Sequence, residues 1–159
     1  MYAQGQGVKQ DHAEAARWLN KAADQGHANA QYNLGAMYFN GHGVQQDFTE
    51  ALRWYRKSAE QGFAIAQFDL GAWYAHGQGV QQDDAEAARW LRKAGEQGHA
   101  DAQYNLGVMY ANGQGVQQDD AEAVRWYRKA AEQGHITAQF NLGTMHYNGH
   151  GVQQDFADA

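Results

Sequence analysis

The sequence repeats itself every 36 residues, and no other feature constrains the fold as tightly. Trp18, Trp54, Trp90 and Trp126 fall at that interval. So do the pairs Gly5/Gly7, Gly41/Gly43, Gly77/Gly79, Gly113/Gly115 and Gly149/Gly151, each followed by a valine. Segments 64–99 and 100–135 are identical at 27 of 36 positions. A fixed period of about 20–50 residues marks an array whose units bury their apolar faces only against neighbours. The 159 residues therefore read as one repeat array, 1–159, with complete units 28–63, 64–99 and 100–135 and partial units 1–27 and 136–159.

Each unit resolves into two helices. Residues 28–40 put Ala30, Leu34, Met37 and Tyr38 at helical spacing. Gly41 stops that helix, and Gly41-His42-Gly43 makes a turn that Val44 can plug. Asp47 is the expected N-cap of the second helix, and Glu50 completes a capping box that recurs as Asp11/Glu14, Asp83/Glu86 and Asp119/Glu122. This helix turns Ala51, Trp54, Tyr55 and Ser58 inward and ends before Gly62, as others end before Gly26, Gly98 and Gly134. Short connections make consecutive helices antiparallel. Gly35, Gly71, Gly107 and Gly143 lie inside first helices, where glycine costs roughly 1 kcal/mol relative to alanine. Their recurrence predicts a neighbouring Trp or Tyr lying over bare backbone. Trp54, Trp90 and Trp126 are expected to be deeply buried. Trp73 shares its slot with Met37, Met109 and Met145, and on that variation is expected to matter less.

The combined run A-x-A-Q-[YF]-N-L-G-x-M-Y-x-N-G-x-G-V-x-Q-D, then A-x-R-W-[YL]-R-K-A-A-E-Q-G, resembles the Sel-one-like repeat (SLR) family, relatives of the tetratricopeptide repeats. The resemblance covers essentially the whole chain. It implies an all-α fold: an α/α right-handed superhelical solenoid of helix-turn-helix repeats whose first helices line a concave face. Cysteine-rich members of the family staple each helix pair with a disulfide, and this chain has no cysteine.

Charge excludes some functions. Twelve Lys and Arg stand against 18 Asp and Glu, a net charge of −6, which argues against nucleic-acid binding. The bases follow the acids along each second helix, as in Asp83, Asp84, Glu86 and then Arg89, Arg92, Lys93, which complements the helix dipole. Glu14, Glu50, Glu86 and Glu122 stand three residues before Arg17, Arg53, Arg89 and Arg125 and neutralise a basic ladder. No apolar run approaches the ~18 residues of a membrane span, so no membrane insertion is expected.

Catalysis finds little support. Ser58 is the only serine and fills the slot of Ala22, Ala94 and Ala130 on a packing face. The pairs Asp83/Asp84 and Asp119/Asp120 sit where caps belong. His27, His99 and His135 share a loop slot with Phe63, so that slot calls for a ring rather than a metal ligand. His146 and His150 have metal-like spacing, but Gly149 breaks the helix between them. The recurring G-x-G-V is a structural turn, not a phosphate loop. No enzyme activity, metal or cofactor is expected.

An interaction role rests on the first helices. If tetratricopeptide geometry carries over, the concave positions are Asn29, Tyr32, Ala36, Phe39 and Asn40; Ile65, Phe68, Ala72, Ala75 and His76; Asp101, Tyr104, Val108, Ala111 and Asn112; and Thr137, Phe140, Thr144, Tyr147 and Asn148. Tyr32, Phe68, Tyr104 and Phe140 form an aromatic row flanked by Asn33, Asp69, Asn105 and Asn141. Leu34, Leu70, Leu106 and Leu142 never change, whereas Asn29, Ile65, Asp101 and Thr137 all differ, through solvent exposure or through partner recognition. None of the concave positions is Lys or Arg. The expected role is a protein-interaction scaffold holding an extended peptide or partner protein by Asn/Asp hydrogen bonds and aromatic contacts. Two alternatives stand beside it: a weak β-lactam hydrolase by analogy with the family, and a structural module of a longer repeat protein.

Met1 is in register with Met37 and Ala159 with Ala51, while Tyr2, Trp18, Leu19, Leu142 and Met145 keep the interior pattern. The expectation is a piece of a longer array, or head-to-tail self-association of the 11–24 helix of one copy with the 136–148 helix of the next.

Overall fold

A computed structural model describes residues 11–151; the expectations for Met1, Tyr2, Gly5, Gly7 and Ala159 fall outside them. The described residues form α1 (His12–Asp24), α2 (Ala28–Asn40), α3 (Phe48–Glu60), α4 (Ala64–His76), α5 (Asp84–Glu96), α6 (Ala100–Asn112), α7 (Asp120–Glu132) and α8 (Ile136–Asn148), and no strand. The helix boundaries match the sequence pattern, with α1 starting one residue late because Asp11 is its N-cap. The chain divides into two compact units, Met1–Leu70 and Gly71–Ala159.

In the first unit Trp54 packs with Ala23, Ala30 and Leu34, and Val44 plugs the turn against Ala15, Ala16 and Met37. In the second unit Leu91, Ala94, Leu106, Trp126 and Tyr127 are buried. Trp54, Trp90 and Trp126 are all buried, as their invariance requires. Trp73 is buried too, at 6% exposure, as are Met37 and Met109 in the equivalent slots of their own repeats. The slot varies because it exchanges one large apolar side chain for another, not because it faces solvent.

Asp11, Asp47, Asp83 and Asp119 cap the second helices by accepting the backbone N–H of Glu14, Glu50, Glu86 and Glu122. The capping box closes on that side only. The Asp47, Asp83 and Asp119 backbone N–H groups already donate to the carbonyls of Tyr38, Tyr74 and Tyr110 at 2.9–3.0 Å. The glutamates are left to pair with Arg17, Arg53, Arg89 and Arg125, three residues on. Such exposed pairs contribute about 0.2–1 kcal/mol each.

Of the in-helix glycines, Gly35 and Gly107 lie under Tyr55 and Tyr127 as expected, Gly71 lies under Leu91 instead of a Trp or Tyr, and Gly143 has no neighbour within 4 Å of a Cβ, against the expectation. A Cβ on Gly107 would lie 2.7 Å from the Tyr127 ring, and one on Gly71 would lie 2.7 Å from Leu91 Cγ. The second glycine of three turns, Gly43, Gly115 and Gly151, does something the sequence does not reveal. A Cβ on Gly43 would lie 2.2 Å from the His12 carbonyl oxygen, and one on Gly115 would lie 2.0 Å from that of Asp84. The turn thus seats backbone to backbone on the start of the preceding second helix. A third joint is polar. Buried Gln31, Gln67 and Gln103 donate through Nε2 to the carbonyls of Ala23, Ala59 and Gly95 at 2.8–3.0 Å, adding a second donor to helix-end carbonyls that also accept the backbone N–H of Gly26, Gly62 and Gly98.

Candidate interaction surface

The expected concave residues do not behave alike. Asn29, Asn40, Ile65, His76, Asp101, Asn112, Thr137 and Asn148 are exposed. Tyr32, Ala36, Phe39, Phe68, Ala72, Ala75, Tyr104, Val108 and Ala111 are half-buried. On α8, Phe140, Thr144 and Tyr147 stand out in solvent.

The half-buried rings serve packing. Tyr32 meets Tyr55 edge-on at 5.2 Å and Phe63 at 5.4 Å, and its hydroxyl donates to Asp69 Oδ2 at 2.9 Å. Burial first, and the Asp69 carboxylate second, push the Tyr32 hydroxyl up to about 12. Tyr104 stacks on His135 at 4.6 Å and tilts against Tyr127 at 5.9 Å. Burial likewise raises Tyr127, against the opposing hydrogen bond from Asn141. Asp69 and Asn141, which flank the aromatic row in sequence, are therefore already engaged with tyrosines.

The slot shared by His27, His99, His135 and Phe63 does want a ring, for His135 stacks on Tyr104 and Phe63 packs tilted against Tyr32. It also wants an acceptor. His27, His99 and His135 cap α2, α6 and α8 by accepting the backbone N–H of Ala30, Ala102 and Ala138 at Nδ1. With Nδ1 accepting, the proton of neutral His135 sits on Nε2, 3.4 Å from Asp101 Oδ1. The sequence hides this role because histidine is not a usual N-cap.

Ser58 is fully buried and its hydroxyl donates to the Ala28 carbonyl at 2.9 Å. Among the described residues, no three His, Asp or Glu side chains converge as metal ligands, and no helix is long and apolar enough to cross a membrane.

One opening stands out in the second unit. A cleft of about 460 Å³ has Ala72, Ala75, Val108, Leu91 and Met109 as apolar lining and Asn105, Gln82, Gln114 and His76 as polar lining. Its one carboxylate is Asp84, and no Lys or Arg lines it. Four expected concave residues, Ala72, Ala75, His76 and Val108, meet there. In the first unit the Ala75 slot holds Phe39 and the Asp84 slot holds Phe48, and these two rings pack against each other at 5.4 Å. Only the alanine at 75 against Phe39 hinted at an opening, and alanine is too common here to have singled it out.

An all-α array of paired helices in 36-residue repeats defines an α/α solenoid. Comparison with known proteins narrows that class. The Sel1 repeat model matches residues 1–27, 28–63, 64–99, 100–135 and 136–159, and the chain belongs to the Sel1 repeat family. Repeats of this family are generally protein–protein interaction modules rather than enzymes. The chain is similar to a protective antigen of uropathogenic Escherichia coli strains displaying an SLR fold, with 44% identity and a TM-score of 0.92 over 98% of this chain and 33% of that one. It is also similar to a Sel1 repeat protein from Oxalobacter formigenes, with 42% identity and a TM-score of 0.85 over 98% of this chain and 63% of that one. It thus spans a third of the first relative and under two thirds of the second. Helicobacter pylori cysteine rich protein B shares the fold, at 24% identity and a TM-score of 0.65 over 87% of this chain and 99% of its own. A search of curated proteins finds no match.

Proposed function

We propose that the chain is a non-catalytic interaction module that holds an extended peptide segment of a partner protein against its first helices, with the cleft at Ala72, Ala75, Asn105 and Val108 as the anchor point. The observation that carries this reading is the cleft itself, where expected concave positions surround an opening that the first unit fills with Phe39 and Phe48. An apolar lining takes one side chain, and the amides of Asn105 and Gln114 match the donors and acceptors of an extended backbone. The acidic balance and the absence of Lys and Arg from the cleft disfavour an anionic ligand. A weak hydrolase working through Ser58 is disfavoured by that hydroxyl's burial and its donation to a carbonyl.

The test fills the cleft with a side chain this repeat slot already accepts. Peptides selected from a displayed library on the intact protein should bind Ala75→Phe at least about tenfold more weakly, a loss of roughly 1.4 kcal/mol. Circular dichroism and melting should stay near wild type, as Phe39 is tolerated in the same slot. Unchanged affinity in folded Ala75→Phe would defeat this assignment.

A further inference from the structure

We infer that the side chain anchored in the cleft between α4, α5 and α6 is basic, an arginine or lysine of the partner segment, and that Asp84 selects it. This rests on the reading of that cleft as a peptide anchor and adds the chemistry of what it takes. Asp84 opens α5, next to the N-cap Asp83. Capping does not need it, because Asp83 already accepts the Glu86 N–H at 3.0 Å. Nor does the half-buried carboxylate have a cation. It accepts from Gln82 Nε2 at 3.3 Å, and no Lys or Arg lines the cleft with it. Exposed His76 is the one other titratable group of the lining, and among the described residues no ion pair joins it to Asp84.

Equivalent joints show this position answered from within the chain. The second turn glycine seats on the carbonyl of the residue that opens the preceding second helix: Gly43 on His12, Gly115 on Asp84, Gly151 on Asp120. The residue before that glycine comes alongside. His42 stacks on His12 at 5.3 Å, and His150 Nδ1 lies 3.4 Å from Asp120 Oδ2. At Asp84 that residue is Gln114, which brings a neutral amide where Asp120 meets an imidazole. A carboxylate drawn partly out of water favours an opposite charge close by, and here the chain supplies none.

The walls suit the rest of a basic side chain. Lys and Arg lay their alkyl stems along apolar surface and carry the charge at the tip. Ala72, Ala75, Leu91 and Val108 supply such surface, and Asp84 supplies the counter-charge. The amide oxygens of Gln82, Asn105 and Gln114 can accept the N–H groups that the carboxylate leaves over. An acidic side chain would meet Asp84 with like charge. A wholly apolar one would strip water from the carboxylate and give it no partner. The net charge of −6 also draws cationic segments toward the chain.

Short peptides selected from a random displayed library on the intact protein test this. They should share an Arg or Lys at one position. Citrulline in place of that arginine, or acetyl-lysine in place of that lysine, removes the charge and keeps most of the shape. By isothermal titration calorimetry this change should weaken binding to wild type at least about tenfold, and binding to Asp84→Asn hardly at all. Peptides with Glu at that position should bind Asp84→Lys more tightly than wild type. The Asp84 slot holds His12 and Phe48 in other repeats, so circular dichroism should show both variants folded. The citrulline and acetyl-lysine comparison on wild type needs no variant at all. Peptides that lose affinity for Ala75→Phe but ignore the loss of charge would overturn this inference and leave the anchor reading standing. A basic residue required equally by wild type and Asp84→Asn would do the same. Peptides indifferent to Ala75→Phe, or a library that yields no binder, would overturn both.

Discussion

Helices α6 and α8 carry closely related sequences, ADAQYNLGVMYAN and ITAQFNLGTMHYN, in different surroundings. Both span 13 residues, start on a histidine cap and stop on a glycine in the left-handed region. α6 lies between α5 and α7, so Leu106, Gly107 and Tyr110 are buried. α8 packs on α7, and of its residues only Ala138 is buried. The contrast separates two kinds of information in the repeat. Caps and turn glycines act within a few residues and shape the helix wherever it sits. The apolar stripe only states a need for cover, which must come from another helix.

The largest effect should come from the tryptophan that does the covering. Trp126→Ala should lower stability by about 3–5 kcal/mol, because a fully enclosed side chain leaves a cavity at a site only 2% exposed. Trp18→Ala, at the matching position on half-open α1, should cost under about 1 kcal/mol in dilute protein. Denaturant melts of the two variants check this, and equal losses would show that α1 is covered in solution as α7 is.

Next come the paired glycines. In Gly107→Ala the new methyl must displace the buried Tyr127 ring, a cost of about 1–3 kcal/mol only partly offset by better helix propensity. In Gly143→Ala nothing opposes the methyl, and propensity alone should add up to about 1 kcal/mol of stability. The two substitutions should thus shift the melting temperature in opposite directions. A shared direction would mean that the covering of α6 does not decide the matter.

What was legible in the sequence follows the same division. The helix limits, the Asp47-type caps, the turn at Gly41 and the buried Trp54 could all be read, because each depends on near neighbours or on strict repetition. The His135 cap could not, since it needs a ring nitrogen aimed back at its own helix. Nor could the seating of Gly43 on His12, which involves residues of different repeats. Glu50 was over-read as closing a capping box, because Tyr38 from the neighbouring helix had already taken the Asp47 N–H. The burial of Trp73 was not legible, because variation between repeats can mean exchange inside a core as well as exposure. For the interaction surface, sequence placed Ala72, Ala75, His76 and Val108 on one face. The cleft among them became visible only once Phe39 and Phe48 were seen to fill the equivalent slots in the first unit.

The smallest effect concerns the rings of one repeat slot, Tyr32 on α2, covered by α3, and Phe140 on open α8. Tyr32 donates its hydroxyl to Asp69 and is enclosed by Tyr55 and Phe63. Tyr32→Phe should cost about 0.5–1.5 kcal/mol near neutral pH, the worth of an ordinary internal hydrogen bond. Phe140→Ala, at an open site, should cost less. The Tyr32 hydroxyl is held up to about 12, chiefly by burial, against an ordinary tyrosine value of 10.0. An acid whose folded value lies above its unfolded one keeps its full contribution below the unfolded value and loses it as pH rises through the folded one. Stability of the wild type should therefore begin to fall near pH 10 and continue falling toward 12. Burial raises Tyr55 as well, so Tyr32→Phe should reduce this alkaline loss without abolishing it. Urea melts of both proteins at stepped pH between about 8 and 12 measure the two slopes. Identical slopes would mean that Tyr32 is not enclosed in solution, and that its helix is as open as α8.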